Sequence, residues 1–128
     1  MPGYDDALFS PPAPVAAVTL RDPGSGRRVN DVPMLLDSGA DVTLIPQFAA
    51  AQLDLDENIR PQYELMAFDG TTRLAAAVRL EMVFLNKVFR GSYLVIDQPW
   101  GILGRDVLNL LSLLFNGPQL VWSEHRVR

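Results

Sequence analysis

The chain is predicted to fold as an all-β protein, a barrel or a sandwich, with two short helices. Short apolar runs rich in β-branched residues recur along the sequence, and turn residues separate them. The run from Arg73 to Phe84 alternates with period two, as expected of a long strand with one buried face. Asp69-Gly70, just before it, is a frequent hairpin turn. Together these patterns favour a strand-rich fold.

Length and composition limit the kinds of protein this chain can be. Its 128 residues are most simply one domain, with 48% apolar and 20% charged residues, which is ordinary for a globular protein. The net charge is −4 and Lys and Arg do not cluster, which argues against nucleic acid or an anionic membrane as the main partner. The absence of cysteine excludes disulfides, thiolate catalysis and Cys-based zinc sites.

The sequence also indicates where the protein works. Its first residues lack the basic region and the apolar core of a signal peptide. The most apolar segment, Leu108–Phe115, is far shorter than the about 20 residues that span a bilayer. We therefore expect a cytoplasmic protein. His125 is the single histidine and lies in a polar tail, so we expect it to be solvated and expect no metal and no cofactor.

The first half of the chain is predicted to hold three strands and one helix. Residues 1–14 carry four of the ten prolines and are expected to form a flexible or extended arm before a domain at 15–122 and a tail at 123–128. A strand, a turn and a strand follow at 15–20, 22–26 and 32–37. A third strand is predicted at 42–45, and Pro46 is expected to be the first residue of a helix at 46–53.

The second half is predicted to contain two hairpins. The first turns at Asp69-Gly70, and its second strand places an alternating apolar set on one buried face: Leu74, Ala76, Val78, Leu80, Met82 and Phe84. A further strand is expected at 88–97 and a short helix at 104–111. The second hairpin turns around residues 116–118, and residues 119–122 are expected to present an open strand edge.

Two motifs carry the chemistry. In "LLDSGADVTLI", apolar residues run directly into Asp37, so its carboxylate is drawn towards the interior and needs a partner. Near the end of the chain, "GILGRDVLN" repeats the pattern of apolar residues running into a glycine, here Gly104. Each motif alone is only moderately specific. Their order along the chain, with a Gly-bearing hairpin between them, is far more specific.

In this combination the chain resembles the retropepsins, the single-domain aspartic proteases of retroviral type, from about Val15 to Trp122. The resemblance implies a small, closed, barrel-like acid-protease fold with a flap hairpin. It also implies a homodimer that cleaves a peptide or protein substrate with Asp37 as the catalytic residue of each copy. In aspartic proteases two carboxylates about 3 Å apart share one proton and thereby act as acid and base.

The resemblance also assigns roles around Asp37. Ser38 and Gly39 are expected to support the catalytic loop, and Arg105 is expected to pair with Asp41, partly shielded from water. Asp106 is expected to accept a hydrogen bond from Thr43. The residues expected to bind substrate are Gly39, Ala40, Asp41, Phe68, Asp69, Gly70 and Thr71. Those expected to brace the loop are Thr43, Gly104, Arg105 and Asp106.

Other interpretations of the same residues remain open. A retropepsin-like fold can serve as a catalytically silent dimerisation or peptide-binding module, because fold alone does not decide function. Asp69 is equally explained as an ordinary turn residue, and Trp100 and Trp122 are equally explained as side chains that fill the core or an interface. A haloacid-dehalogenase-type phosphotransfer site is set aside. It needs a second Asp two positions before Asp69, where this chain has Ala67.

Overall fold

Strands dominate the structure. The computed structural model describes residues 3–55, 62–66 and 69–126. In this part of the chain the strands are β1 Tyr4–Asp5, β2 Ala13–Arg21, β3 Arg28–Leu36, β4 Leu44–Pro46, β5 Gln62–Met66, β6 Thr72–Phe84, β7 Lys87–Ile96, β8 Gly101–Leu103, β9 Leu113–Asn116 and β10 Val121–Glu124. The helices are α1 Gln47–Gln52 and α2 Arg105–Leu108. The predicted all-β class with two short helices is confirmed.

Eight strands form one sheet that curves into a ring-like arrangement. Their order is β1-β2-β3-β8-β4-β7-β6-β5, and β2 additionally pairs with β6, which joins two distant parts of the sheet. β9 and β10 form a separate two-stranded hairpin. The parallel pair of β3 and β8 and the antiparallel pair of β8 and β4 place β8 between the strands that flank Asp37. This arrangement positions the candidate site.

The core lies inside the sheet and takes side chains from most strands. The fully buried side chains include Val18, Val32, Met34, Ile45, Val78 and Leu103. Burying an aliphatic side chain of this size stabilises the fold by about 1.5–3 kcal/mol. Trp122 is also buried, and its Nε1–H donates to the Val15 carbonyl oxygen at 3.1 Å, so its expected role as a core filler is confirmed. Trp100 is half-buried and packs edge-on against Phe9, with ring centroids 4.9 Å apart.

The expectation of a single buried face along β6 is only partly correct. Val78, Leu80, Met82 and Phe84 are buried as predicted, but Leu74 is 70% exposed. Leu74 lies where β6 pairs with β5 alone, so no other strand of the described sheet flanks it there. On the other face Glu81 is buried between Arg21 and Arg90, the residues directly opposite it on β2 and β7. The face of β6 opposite Val78 and Leu80 is therefore also covered at Glu81.

The ends of several elements also differ from expectation. Tyr4 and Asp5 pair with Pro14 and Ala13, so the segment expected to be an arm contains a short strand. Pro46 ends β4 and is the N-cap of α1, with extended dihedral angles, whereas it was expected as the first helical residue. α2 is shorter than the helix expected at 104–111.

Membrane-spanning helices are not found in the described ranges: neither helix there has the length and apolar character needed to cross a bilayer.

Candidate active site

Asp37 lies at the point where β3 ends and a tight loop begins. Its backbone N–H donates to the carbonyl oxygen of Leu103, the last residue of β8, at 3.1 Å. The loop then crosses the end of β8 and enters β4 on the other side. Because β8 pairs with both neighbouring strands, the two ends of the loop are fixed by the sheet.

The carboxylate of Asp37 is held by its own loop. The Gly39 N–H donates to Asp37 Oδ1 at 2.9 Å, and the Ala40 N–H donates to the Asp37 carbonyl oxygen at 3.2 Å. A Cβ at Gly39 would lie 3.1 Å from the same carboxylate oxygen, so glycine allows this close approach. Asp37 is half-buried, and Ser38 and Gly39 are exposed. The loop therefore presents one fixed carboxylate near the surface of a single chain.

The segment that follows β8 braces this loop through its backbone. The Arg105 N–H donates to the Ala40 carbonyl oxygen at 2.9 Å, and the Arg105 guanidinium donates from Nη1 to the Ser38 carbonyl oxygen at 2.8 Å. Gly104 lies against Val42 so closely that a Cβ there would be 2.4 Å from the Val42 carbonyl oxygen. The structure thus brings the two sequence motifs together, as expected.

Thr43 and Asp106 fix the far end of the loop. Asp106 accepts from the Thr43 hydroxyl at 2.6 Å and from the Thr43 backbone N–H at 3.1 Å. The same hydroxyl oxygen accepts from the Gly104 N–H at 3.1 Å. Thr43 is only 1% exposed, so these bonds are formed largely out of water. The expected hydrogen bond between Asp106 and Thr43 is present.

Arg105 and Asp41 form the expected ion pair, and the Arg105 side chain is partly shielded as expected, at 43% exposure, but the Asp41 side chain is not. The Arg105 Nη2 group donates to Asp41 Oδ1. The Asp41 side chain is 84% exposed, because it lies on the outer side of the loop. Solvent weakens such a pair, whose contribution to stability is about 0–1 kcal/mol. The bond from Arg105 to the Ser38 carbonyl oxygen is the more direct constraint on the loop.

The β5–β6 hairpin carries the other residues expected to bind substrate. Gly70 has a left-handed backbone with φ +86°, and Asp69 accepts from the Thr71 hydroxyl at 2.7 Å and from its N–H at 3.0 Å. The hydrogen bond from the Thr71 hydroxyl lowers the pKa of the Asp69 carboxyl, and the bond from the Thr71 N–H lowers it to a lesser extent. Asp69 thus behaves as a turn residue. Phe68 lies outside the described residues.

Two apolar side chains on the same hairpin were not anticipated as site residues. Met66 is 76% exposed and, like Leu74, projects from the part of the hairpin where β5 and β6 pair only with each other. Thr72 lies opposite Met66, and it shares a face with Leu74 because side chains alternate along a strand. Met66 and Leu74 are therefore diagonal neighbours on one exposed face. The alternation in the sequence placed Leu74 in the core, and only the strand register shows its exposure.

A buried tyrosine lies near the brace. The Tyr93 hydroxyl donates to the Phe89 carbonyl oxygen at 2.8 Å, and the residue is 4% exposed. Burial, and to a lesser extent the negative charge of Asp106, raise the pKa of Tyr93 to about 12. In the described part of the chain, no group of three or more His, Cys, Asp and Glu side chains is arranged to hold a metal ion.

Comparison with known proteins identifies the fold. The chain has a retropepsin-like fold. One solved structure that it matches is the EIAV protease complexed with the inhibitor HBY-793. The TM-score is 0.54 at 22% sequence identity, and the match covers 76% of this chain and 86% of that protein. No protein-family model matches the sequence, and no curated protein matches it. At this identity the likeness establishes the fold alone.

Proposed function

We propose that the protein is an aspartic endopeptidase whose domain spans residues 15–122 and which works as a homodimer with one Asp37 from each copy. The observation that carries the proposal is the position of Asp37. In a retropepsin-like fold, it lies on a loop that the late motif braces through its backbone, and its carboxylate is held by the Gly39 N–H. Such preorganisation is what a catalytic group requires.

A second copy is required by the chemistry. Hydrolysis of a peptide without metal or covalent intermediate needs one group that takes a proton from water and one that gives a proton to the carbonyl oxygen. A pair of facing carboxylates does this because the two cannot both carry a charge at close range and so share a proton. The chain has one Asp-Ser-Gly sequence, so the other carboxylate comes from another copy across a two-fold axis.

The reaction then needs no further component. The unprotonated Asp37 takes a proton from water as the water oxygen bonds to the peptide carbonyl carbon, and the protonated Asp37 of the second copy gives its proton to the carbonyl oxygen. The tetrahedral intermediate collapses with cleavage of the C–N bond as one carboxyl group protonates the leaving nitrogen. The other carboxylate takes a proton from a hydroxyl of the diol, so the products are a carboxylic acid and an amine and the pair again holds one shared proton.

In this proposal the β5–β6 hairpin acts as the flap. It projects beyond the strands that pair with the rest of β6, and one of its faces exposes Met66 and Leu74. A mobile hairpin with an apolar face is suited to closing over a peptide and excluding water from the carboxylates. Ala40 and Asp41, beside Asp37 on the loop, are then placed to hold the substrate backbone.

The proposal is tested with a diverse peptide mixture from about pH 3 to about pH 8, with and without a statine-type transition-state analogue. We expect cleavage that is strongest in acid, because the shared proton is lost as the pH rises, and that the analogue inhibits. Asp37→Asn should abolish cleavage and preserve the fold, because an amide can neither take nor hold that proton. Asp31→Asn is the matched control, since Asp31 is an exposed acid with φ 57°, a backbone conformation that Asn tolerates.

Two results would contradict the proposal. Cleavage by Asp37→Asn at the rate of the parent protein would show that another residue is catalytic. A verified dimer that cleaves no peptide at any pH would instead favour the silent dimerisation or peptide-binding module.

A further inference from the structure

A row of charged side chains crosses four strands on the outer side of the sheet. Arg28, Arg21, Glu81 and Arg90 are paired in turn across β3, β2, β6 and β7. Residues directly opposite one another on neighbouring strands share a face of the sheet. The buried apolar side chains of β6 alternate with Glu81 and lie on its other face. The charged row therefore points away from the core.

Arg79 adds a fourth arginine to this surface. It lies two positions before Glu81 and is exposed, so it shares the face of Glu81. We call the five charged residues the arginine face: Arg21, Arg28, Arg79, Glu81 and Arg90. It holds four of the 11 basic residues of the chain and one of the 15 acidic residues, so it is basic although the net charge is −4. Its members come from distant parts of the sequence, and only the strand register brings them together.

The one acid of the arginine face neutralises part of this charge. Glu81 accepts from Arg21 Nε at 2.8 Å and from Arg90 Nε. The bond from Arg90 most of all, together with that from Arg21, lowers the pKa of the Glu81 carboxyl, although burial opposes this change. Among the described residues, neither Arg28 nor Arg79 forms an ion pair. Two of the four arginines thus lack a counter-charge within this part of the chain.

The acids nearest to this surface in sequence do not supply that counter-charge. Asp22 accepts from the Gly24 N–H at 3.1 Å and from the Ser25 hydroxyl at 2.9 Å, within its own turn. Asp31, three positions after Arg28, forms no ion pair with another residue that the structure describes. The positive charge of the face is therefore available to a partner.

Two of the arginines also oppose each other directly. Arg21 of β2 pairs with Arg28 of β3, and like charges at directly opposite positions destabilise a sheet. Arg28 is exposed, and the Arg90 side chain is 78% exposed, so a ligand can reach both from solvent. A bound anion would offset the repulsion between Arg21 and Arg28 that the isolated chain carries.

The other side chains of this face favour a protein carboxylate as the anion. Thr19, Val83, Val88 and Ser92 share the face through the same strand register, and none of these four is aromatic. They offer no platform on which bases could stack and no large apolar group that could enter a bilayer. The net charge of −4 also repels a long polyanion. Glu81 itself demonstrates that arginines on adjacent strands here can hold a carboxylate.

The spacing of the arginines suits an extended acidic peptide. Arg79 and Arg90 are diagonal neighbours on adjacent strands, a relationship that places residues about 7–8 Å apart. Alternate side chains of an extended peptide lie on one face about 7 Å apart. Two acidic side chains separated by one residue can therefore reach both arginines, and each guanidinium can donate two hydrogen bonds to one carboxylate.

We propose that the arginine face binds an acidic segment of a partner protein, in which Asp or Glu alternates with other residues along an extended stretch. Arg28 and Arg79 bind its carboxylates, and Arg90 adds charge while it holds Glu81. β3 has nine residues and separates Arg28 from the loop that carries Asp37, a distance of about 25 Å along the strand. The proposed surface is thus remote from the candidate active site and does not depend on the proposed function.

The first test measures binding of a fluorescein-labelled peptide of alternating Glu and Ser by fluorescence anisotropy at pH 7.5. The Asp37→Asn protein is used so that cleavage cannot destroy the probe. Arg28→Ala and Arg79→Ala, each added to this protein, should raise the Kd at least about threefold, and both together at least about tenfold, because each removes a charge-assisted contact. Unchanged affinity in the double variant, or no binding of the probe by the parent, would overturn the proposal.

Two controls separate this surface from general charge effects. Arg126→Ala removes one positive charge from an exposed arginine outside the arginine face and should change the Kd less than about twofold. A peptide in which Gln replaces every Glu should not bind measurably. Circular dichroism checks that each variant keeps its fold. An equal loss of affinity in Arg126→Ala and Arg79→Ala, or equal binding of the Gln peptide, would contradict the proposed surface.

The last experiment tests the class of partner. A single-stranded thymidine oligonucleotide and phosphatidylcholine vesicles that contain phosphatidylserine are compared with the acidic peptide at the same salt concentration. We expect both to bind more weakly than the peptide, since the face lacks stacking and membrane-inserting side chains. Tighter binding of either one, lost when Arg28 and Arg79 are both replaced, would assign the surface to nucleic acid or to a membrane and overturn the assignment to an acidic protein segment.

Discussion

Thr43 binds Asp106 twice, through its hydroxyl at 2.6 Å and its backbone N–H at 3.1 Å, although 63 positions separate the two residues. The same hydroxyl oxygen also accepts from the Gly104 N–H. One buried side chain therefore ties together the end of the loop that carries Asp37, the start of α2 and the end of β8. The predictions below follow from this and the neighbouring contacts.

Replacing Thr43 with Val should destabilise the protein by about 1–3 kcal/mol, because the Gly104 N–H loses its acceptor and Asp106 loses a donor at a buried position. The free energy of unfolding in denaturant measures this loss. Thr19→Val is the control, because the Thr19 hydroxyl donates to the exposed Asn30 side chain, and we expect a change within about 0.5 kcal/mol. Equal losses in the two variants would show that the hydroxyl of Thr43 has no special role.

Arg105→Ala should reduce the cleavage rate and should lower the unfolding free energy only moderately. The ion pair with Asp41 is exposed and contributes little, so the unfolding free energy should fall by about 1–2 kcal/mol, mainly from the lost bond to the Ser38 carbonyl oxygen. Asp41→Ala should cost less, because it leaves that bond in place. Cleavage rates and denaturant unfolding of the two variants test this order. A larger stability loss in Asp41→Ala would contradict it.

Gly104→Ala should disturb the loop by steric contact alone. The backbone of Gly104 is extended, with φ −91° and ψ −177°, and any residue can adopt it, but a Cβ would lie 2.4 Å from the Val42 carbonyl oxygen. We expect a loss of about 1–3 kcal/mol, as for other overpacked sites, together with reduced cleavage. Gly117→Ala is the control, because nothing lies within 4 Å of a Cβ there. Thermal or denaturant unfolding that shifts equally in both variants would refute this explanation.

The double variant Met66→Ser, Leu74→Ser should weaken catalysis while stability changes by no more than about 1 kcal/mol, since both side chains are mostly exposed. Covering one such side chain with substrate is worth about 1.5 kcal/mol, so kcat/KM should fall about tenfold or more. Val88→Ser, exposed on β7, is the control. Unchanged kcat/KM would show that this face of the hairpin does not meet the substrate.

Tyr93 should make the stability of the protein fall in strongly alkaline solution. Its pKa is about 12 in the folded protein and near 10 in the unfolded chain. Between these values the unfolded state binds fewer protons than the folded state, so stability falls as the pH rises from about 10 to about 12. Tyr93→Phe should remove this dependence, although it also loses the bond to the Phe89 carbonyl oxygen. Unfolding measured across this range, with absorbance at 295 nm to follow ionisation, tests the assignment.

Local structure and the contact between the two motifs were predicted more accurately than the solvent exposure of individual side chains. The all-β class and the hairpins follow from patterns within short stretches, whereas the contacts of Arg105 and Asp106 with the loop were expected from the resemblance to the retropepsins. Exposure depends on which strand lies next to a residue. Glu81 is buried because its register places it directly opposite Arg21 and Arg90, and no local pattern contains that register.

The same limit applies to two surfaces of the protein. Arg105 is partly shielded beside Asp41 as expected, but no local pattern indicated that the Asp41 side chain would be 84% exposed. The open edge was wrongly placed at residues 119–122 because the return of Gly3 and Tyr4 to that strand is a contact between distant parts of the chain. Contacts between distant parts of the chain become visible only in the folded structure.

Hydrogen bonds with Leu103, Arg105 and Asp106 of the same chain hold both ends of the loop that carries Asp37. The loop can therefore reach its working shape before a second copy arrives, and association need not also supply the conformational entropy of ordering it. A dilute solution would then contain folded, stable molecules that lack only the opposing carboxylate. Below the dissociation constant of the dimer, the cleavage rate should rise with the square of the protein concentration, so that local crowding of the chains would itself start proteolysis.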